Sequence, residues 1–157
     1  LGLSGMFAFD DSRPGLSDAG TAALEAGAVG LLASVGLRYA VGRARPNTGL
    51  GKADFSPGSG PDSYHSFPSN HVVAMWAAIT PYAEEYGMPW LYGAAALTNL
   101  ARIGSREHWV SDTVASSLIG YGLGYLAWDA QRERRLKKNG PTVLLGPQSV
   151  NLAWSLN

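Results

Sequence analysis

Two of the three histidines lie beside residues that could assist them in chemistry. His71 follows Ser69 and Asn70 at the predicted start of a helix. The first turn of a helix has free backbone N–H groups, and these can bind an anion together with a hydroxyl and an amide. On its own, a histidine in this position is more often a cap or a surface residue. The pattern nevertheless makes residues 69–71 a candidate anion site.

The second histidine, His108, has Asp112 four residues later at the start of another predicted helix. This spacing places both side chains on one helix face, within reach of a hydrogen bond. A carboxylate on one ring nitrogen fixes the tautomer and makes the other nitrogen a better nucleophile. The alternative is a simple contact that stabilises the helix.

Three arginines stand near these histidines in the sequence. Arg102 precedes His108 by six residues, and Arg38 and Arg45 lie seven residues apart before a long loop. Each arginine alone could be an ordinary surface residue. Together with helix N–H groups, an oriented histidine and a second histidine, they supply the parts that phosphoryl transfer requires.

The order and spacing of these residues resemble a known three-part signature. It is that of the type-2 phosphatidic acid phosphatase superfamily, which also contains bacterial class A acid phosphatases and vanadium haloperoxidases. The three blocks are Arg38 with Arg45-Pro46, then Pro68-Ser69-Asn70-His71, then Arg102 with His108 and Asp112. Three positions differ from the usual pattern, because Arg38 replaces a lysine, Asn70 replaces a glycine and Ala101, before Arg102, replaces a serine.

The resemblance implies a role for each residue. His108 would attack phosphorus and become phosphohistidine, and Asp112 would orient its ring. His71 would protonate the leaving oxygen and then activate water. The residues implied to hold the phosphate oxygens are Arg38, Arg45, Ser69, Asn70 and Arg102, with Asn70 acting through its backbone N–H. No metal or other cofactor is implied.

The positions of apolar residues, caps and prolines predict the elements that carry this site. We expect helices over 19–41 with Asp18 as N-cap, from Ser69 or Asn70 through residue 79, over 89–103 and over 109–136. Residues 47–67 form a loop. The expected fold is all-α, a helical bundle of the acid phosphatase and vanadium haloperoxidase type. Residues 1–140 would be one domain and 141–157 a short extended tail.

The composition limits the partners that the chain could bind. Its 157 residues contain twelve cations, twelve acids and no cysteine. A net charge of zero argues against a general nucleic-acid binder, and a disulfide framework is excluded. Residues 131–138 hold five of the cations. They either complement the end of a helix or contact anionic lipid head groups at a membrane.

Hydropathy and the resemblance together predict where the protein acts. The charge-free stretches 86–101 and 113–128 are too short to span a bilayer, which favours a soluble or peripheral protein. The resemblance implies a bacterial protein that is periplasmic or associated with a membrane. The oligomeric state is not predicted.

The function implied is a metal-independent phosphatase acting on phosphomonoesters or pyrophosphates, on small molecules or on lipids. Vanadate would inhibit such an enzyme. One alternative is a vanadium haloperoxidase, in which vanadate on His108 is the cofactor. The other is a phosphate-binding domain without catalysis.

Overall fold

The computed structural model describes residue 8, residues 14–138, residue 140 and, for their backbone alone, 142–146 and 149–153. Four helices account for most of these residues: α1 (Pro14–Val41), α2 (Asn70–Tyr86), α3 (Trp90–Gly104) and α4 (Val110–Lys138). The predicted all-α bundle is therefore confirmed. The first helix begins earlier than predicted, so Asp18 lies inside α1 and is not its N-cap. Its carboxylate instead pairs with Arg135 of α4, at 3.1 Å.

The described part of the predicted extended tail pairs with itself. Strand β1 (Thr142–Gly146) runs antiparallel to β2 (Ser149–Ala153), with Thr142 opposite Ala153 and Gly146 opposite Ser149. The other residues of the tail, and those before residue 14 apart from residue 8, lie outside the described residues.

Small residues form the contacts between helices α1, α2 and α4. A Cβ atom on Gly120 of α4 would lie 2.5 Å from the carbonyl oxygen of Val73 in α2, and one on Gly124 would lie 2.9 Å from that of Ala77. Gly30 of α1 is similarly close to the side chain of Val73, at 2.8 Å. The absence of a Cβ at these positions therefore lets the helices approach backbone to backbone.

Many of the large apolar side chains point outward. Leu32 in α1 is 76% exposed and Leu118 in α4 is 68% exposed, and Leu97 in α3 and Leu126 in α4 are similar. A soluble bundle turns such residues toward its core, whereas helices packed in lipid meet through small residues and expose large ones. Among the described helices, α1 alone is long and apolar enough to cross a membrane. The sequence-based expectation considered only uninterrupted charge-free runs and overlooked this helix.

The helices alternate in direction, so the predicted site residues gather at one end of the bundle. This end contains the last turns of α1 and α3, the first turns of α2 and α4, and the loop between α1 and α2. The basic end of α4 lies at the opposite end, where Arg135 also pairs with Glu85 of α2. The 29 residues of α4 span about 43 Å between the two ends.

Candidate active site

His108 is held by a backbone carbonyl group. The residue is 2% exposed, and its Nδ1 atom lies 2.5 Å from the carbonyl oxygen of Ser66. A carbonyl oxygen can only accept a hydrogen bond, so Nδ1 carries the proton. The other nitrogen, Nε2, is buried and has no hydrogen-bond partner within the described part of the protein. The neutral ring therefore presents a lone pair at Nε2.

The surroundings of His108 keep the ring neutral. Burial lowers its pKa to about 4, and the positive charges of Arg45 and Arg102 act in the same direction. The hydrogen bond to Ser66 and the charge of Asp112 oppose this effect but do not outweigh it. At neutral pH the imidazole is therefore uncharged.

Asp112 forms no hydrogen bond with His108, in contrast to the expected pairing. Its Oδ2 atom accepts hydrogen bonds from the hydroxyl of Ser66, at 2.5 Å, and from the backbone N–H of Trp109, at 3.1 Å. The second of these bonds satisfies a free donor at the start of α4. Ser66 therefore stands between the two residues, because its hydroxyl binds Asp112 and its carbonyl oxygen binds His108. Sequence reasoning missed Ser66, since a role carried by a backbone carbonyl has no signal in the residue type.

Arg43 neutralises the buried carboxylate of Asp112. Its Nη1 atom pairs with Oδ1 of Asp112 and donates to the hydroxyl of Ser111, at 2.8 Å. The guanidinium group also donates twice to the backbone carbonyl of Lys52 and lies 5.7 Å from the ring of Trp109. Arg43 is not one of the three arginines of the predicted site. In the structure it is a fixed partner of the site.

Glu107, another residue that sequence reasoning missed, joins two of the predicted arginines. Its Oε2 atom accepts a hydrogen bond from Nη2 of Arg102, at 2.8 Å, and also binds Nη1 of Arg45. Arg45 is buried, and Asp62 holds its other side through two further bonds of 2.8 Å. The Nε atom of Arg102 is buried without a hydrogen-bond partner among the described residues.

The remaining predicted residues lie at the same end. Nε of Arg38 donates to the carbonyl oxygen of Pro68, at 3.3 Å. Ser69, one of the two residues predicted to cap α2, occupies its N-cap position, but the Ser69 hydroxyl forms no capping bond. Within the described chain, neither that hydroxyl nor the amide oxygen of Asn70 has a hydrogen-bond partner, although both are buried.

His71 lies in the field of the same arginines. Partial burial lowers its pKa, and the charges of Arg102, Arg38 and Arg45 lower it further. Arg45 and Arg102 also act on His108. Both predicted histidines therefore lie in the field of the same arginines, with His108 buried and His71 exposed. No group of three or more acidic, histidine or cysteine side chains in the described ranges is arranged to hold a metal ion.

The sequence of the chain is similar to those of known proteins. The family model for the PAP2 superfamily matches residues 19–136, well over half of the chain. The chain is 31% identical over 97 residues to a lipid A 1-phosphatase of Porphyromonas gingivalis, covering 58% of this chain and 19% of that protein. It is 35% identical over 104 residues to a lipid A 1-phosphatase of Rhizobium johnstonii, covering 63% of this chain and 39% of that protein. The chain thus matches less than half the length of these relatives, and no solved structure shows significant similarity to it.

Proposed function

Because the chain belongs to the PAP2 superfamily, we propose that it is a phosphatase that removes a phosphate group from lipid phosphates. The observation that carries the proposal is a set of buried polar atoms at this end of the bundle that have no partner in the described chain. The set comprises Nε2 of His108, Nε of Arg102, the hydroxyl of Ser69 and the amide oxygen of Asn70. Leaving such groups unpaired is costly. Nε of Arg102 and the hydroxyl of Ser69 could donate to the oxygens of a bound phosphate group, and the lone pair on Nε2 of His108 could face its phosphorus atom. The amide oxygen of Asn70 only accepts, so it could bind a protonated phosphate oxygen.

The reaction would proceed in two steps. Nε2 of His108 attacks phosphorus and forms a P–N bond as the bond to the leaving oxygen breaks, and His71 donates its proton to that oxygen. Water then attacks phosphorus, His71 takes up its proton, and the P–N bond breaks to release phosphate. The charges of Arg38, Arg45 and Arg102 stabilise the negative charge on the phosphoryl oxygens in both transition states.

Ser66 and Asp112 would support the nucleophile during the first step. Forming the P–N bond places positive charge on the imidazole ring of His108. The carbonyl oxygen of Ser66 stabilises that charge through the bond to Nδ1, at 2.5 Å. Asp112 fixes Ser66 by accepting its hydroxyl hydrogen bond. We therefore place Asp112 one residue further from the reacting ring than the family resemblance implies.

A lipid substrate is supported by two observations. The relatives described above are named lipid A 1-phosphatases, so the phosphate of lipid A or of a similar lipid is the natural candidate. The exposed apolar faces of α1, α3 and α4 would suit contact with a bilayer.

The basic end of α4 would then lie on the cytoplasmic side, following the preference of Lys and Arg for that side. This orientation would place the catalytic end on the periplasmic side.

A substrate panel tests the proposal. Purified protein in detergent is given lipid A, phosphatidate and p-nitrophenyl phosphate, and the phosphate released is measured with and without EDTA. We expect the highest kcat/KM on a lipid phosphate, no effect of EDTA and competitive inhibition by orthovanadate. Phosphate binding without release from any substrate would indicate a binding domain. Halide oxidation by peroxide in the presence of vanadate would indicate a haloperoxidase.

A further inference from the structure

The carboxylate of Glu107 occupies the position of an anion between two arginines. Its Oε2 atom is 2.8 Å from Nη2 of Arg102 and also accepts a hydrogen bond from Nη1 of Arg45. Two guanidinium groups that converge on one oxygen form the arrangement by which proteins bind a phosphate oxygen. Glu107 thus fills part of the pocket proposed above for the substrate.

Glu107 is free to leave this position. Its side chain is 32% exposed, whereas that of Arg45 is 8% exposed. Within the described chain, the carboxylate makes no hydrogen bond or ion pair other than those to Arg45 and Arg102. Rotation of the Glu107 side chain would move its charge into water, where it is well solvated.

Arg45 would remain in place after such a rotation. Its Nε and Nη2 atoms bind the backbone carbonyl and the carboxylate of Asp62, both at 2.8 Å. These bonds fix the plane of the guanidinium group whether or not Glu107 is present. Departure of Glu107 therefore exposes preorganised donors and does not dismantle the pocket.

We propose that Glu107 is an internal competitor of phosphate. It neutralises Arg45 and Arg102 in the free protein, gives way when the substrate phosphate enters, and returns to displace the inorganic phosphate that the reaction leaves behind. An internal competitor weakens the binding of every anion that needs its position. Its effects are therefore a higher KM for the substrate and faster release of the product phosphate. The inference rests on the proposed function, because it concerns the same pocket.

Equilibrium binding of inorganic phosphate tests this inference without requiring turnover. Isothermal titration calorimetry is performed on the wild type and on the Glu107→Gln variant, and circular dichroism melts verify that both are folded. The Kd for phosphate should fall about tenfold in Glu107→Gln, as loss of a competing charged hydrogen bond allows. The Ki of phosphate as a product inhibitor should fall in parallel. A Kd that rises or stays the same would overturn the inference, because Glu107 would then organise the arginines or play no part.

Two further variants separate occupancy of the pocket from a general effect of charge. Glu107→Asp keeps the negative charge but is one methylene too short to bridge both arginines, so it should also tighten phosphate binding. Asp62→Asn removes the same charge from the other side of Arg45 and should tighten binding less than Glu107→Gln. If Glu107→Asp binds phosphate like the wild type, or Asp62→Asn matches Glu107→Gln, the inference is wrong.

Failure of this inference is distinguishable from failure of the proposed function. Tighter phosphate binding by Glu107→Gln, without hydrolysis of any substrate by the wild type, would refute the phosphatase and leave the competitor role intact. Hydrolysis by the wild type, with weaker phosphate binding by Glu107→Gln, would support the phosphatase and refute the competitor role. If neither protein binds phosphate, the inference is wrong, whereas the proposed function is decided by the hydrolysis of the substrate panel alone.

Discussion

The backbone carbonyl oxygen of Ser66 lies 2.5 Å from Nδ1 of His108 and fixes the tautomer of that ring. The hydroxyl of the same serine binds Asp112, also at 2.5 Å. Ser66 therefore connects the proposed nucleophile, His108, to Asp112, the carboxylate that lies four residues later in the sequence. The orientation of His108 depends on the loop before α2 as much as on α4.

Ser66→Ala should lower kcat about tenfold to a hundredfold, the equivalent of one hydrogen bond to a charged group. The variant keeps the carbonyl oxygen but frees it to move, because its link to Asp112 is lost. KM should change little, since Ser66 is not among the proposed phosphate ligands. Steady-state kinetics on p-nitrophenyl phosphate measure both constants, and Ser66→Thr, which retains the hydroxyl, should recover most of the rate.

The double variant Ser66→Ala, Asp112→Asn should be no slower than Asp112→Asn alone. If Asp112 acts through Ser66, the two losses are not additive. Ser59→Ala serves as the control, because Ser59 lies in the same loop and its hydroxyl makes none of the hydrogen bonds of the site. Fully additive losses from Ser66 and Asp112 would show that the two residues act independently.

The pH profile of kcat/KM on an alkyl phosphate should be bell-shaped and acidic. His108 must be neutral to attack, so the acid limb should lie near its lowered pKa of about 4. His71 must be protonated to assist the leaving group, and its pKa is also lowered, so the alkaline limb should lie below the ordinary histidine value of about 6.5. With p-nitrophenyl phosphate, whose leaving group needs little protonation, the alkaline limb should weaken. An acid limb near 6.5 would contradict the neutral, buried nucleophile.

The loss of rate in His71→Ala should depend on the leaving group of the substrate. Hydrolysis of an alkyl phosphate should fall by about a hundredfold or more, because general acid catalysis contributes on that scale. Formation of phosphohistidine from p-nitrophenyl phosphate should fall much less. Rates measured over a series of aryl phosphates whose phenol leaving groups have increasing pKa show how the loss of rate depends on the leaving group. Equal losses across the series would exclude His71 as the acid.

Gly120→Ala should lower the free energy of unfolding by about 1–3 kcal/mol through overpacking. The added Cβ would lie 2.5 Å from the carbonyl oxygen of Val73, so α2 and α4 would have to separate. Gly122→Ala is the matched control on the same helix, where the Cβ would meet no atom within 4 Å. Because alanine favours the helix, the control should be neutral or stabilising. Denaturation in detergent compares the two variants, and equal stabilities would contradict the close helix contact.

The sequence predicts the helices and the clustering of the site residues because both follow from residue type and spacing. Alternating helix directions bring Arg38, His71, Arg102 and His108 to one end, and the three motif blocks mark those positions. The contacts of Ser66 and Glu107 could not be predicted in the same way. Ser66 acts on His108 through a backbone atom, and the position of Glu107 depends on how the loop after α3 meets Arg45, 62 residues away along the chain.

The outward direction of the large apolar residues was also missed, although the sequence carries a signal for it. In α4, Gly120 and Gly124 lie where the helix meets α2, whereas Leu118 and Leu126 lie on its exposed face. Gly30 of α1 likewise lies at a helix contact. Separating small from large apolar residues on each helix would have distinguished the two faces. Hydropathy alone treats both classes as apolar and cannot assign them to opposite sides.

Trapping the covalent intermediate tests the central claim most directly. His71→Ala is mixed with ³²P-labelled p-nitrophenyl phosphate, quenched in base within the first turnover, and the label is assigned by peptide mapping. Since this variant lacks the residue that activates water, the intermediate should accumulate. We predict base-stable, acid-labile label on His108, and no label in the double variant His71→Ala, His108→Gln. Release of p-nitrophenol in that first turnover without label on the protein, or with label on another residue, would contradict His108 as the nucleophile.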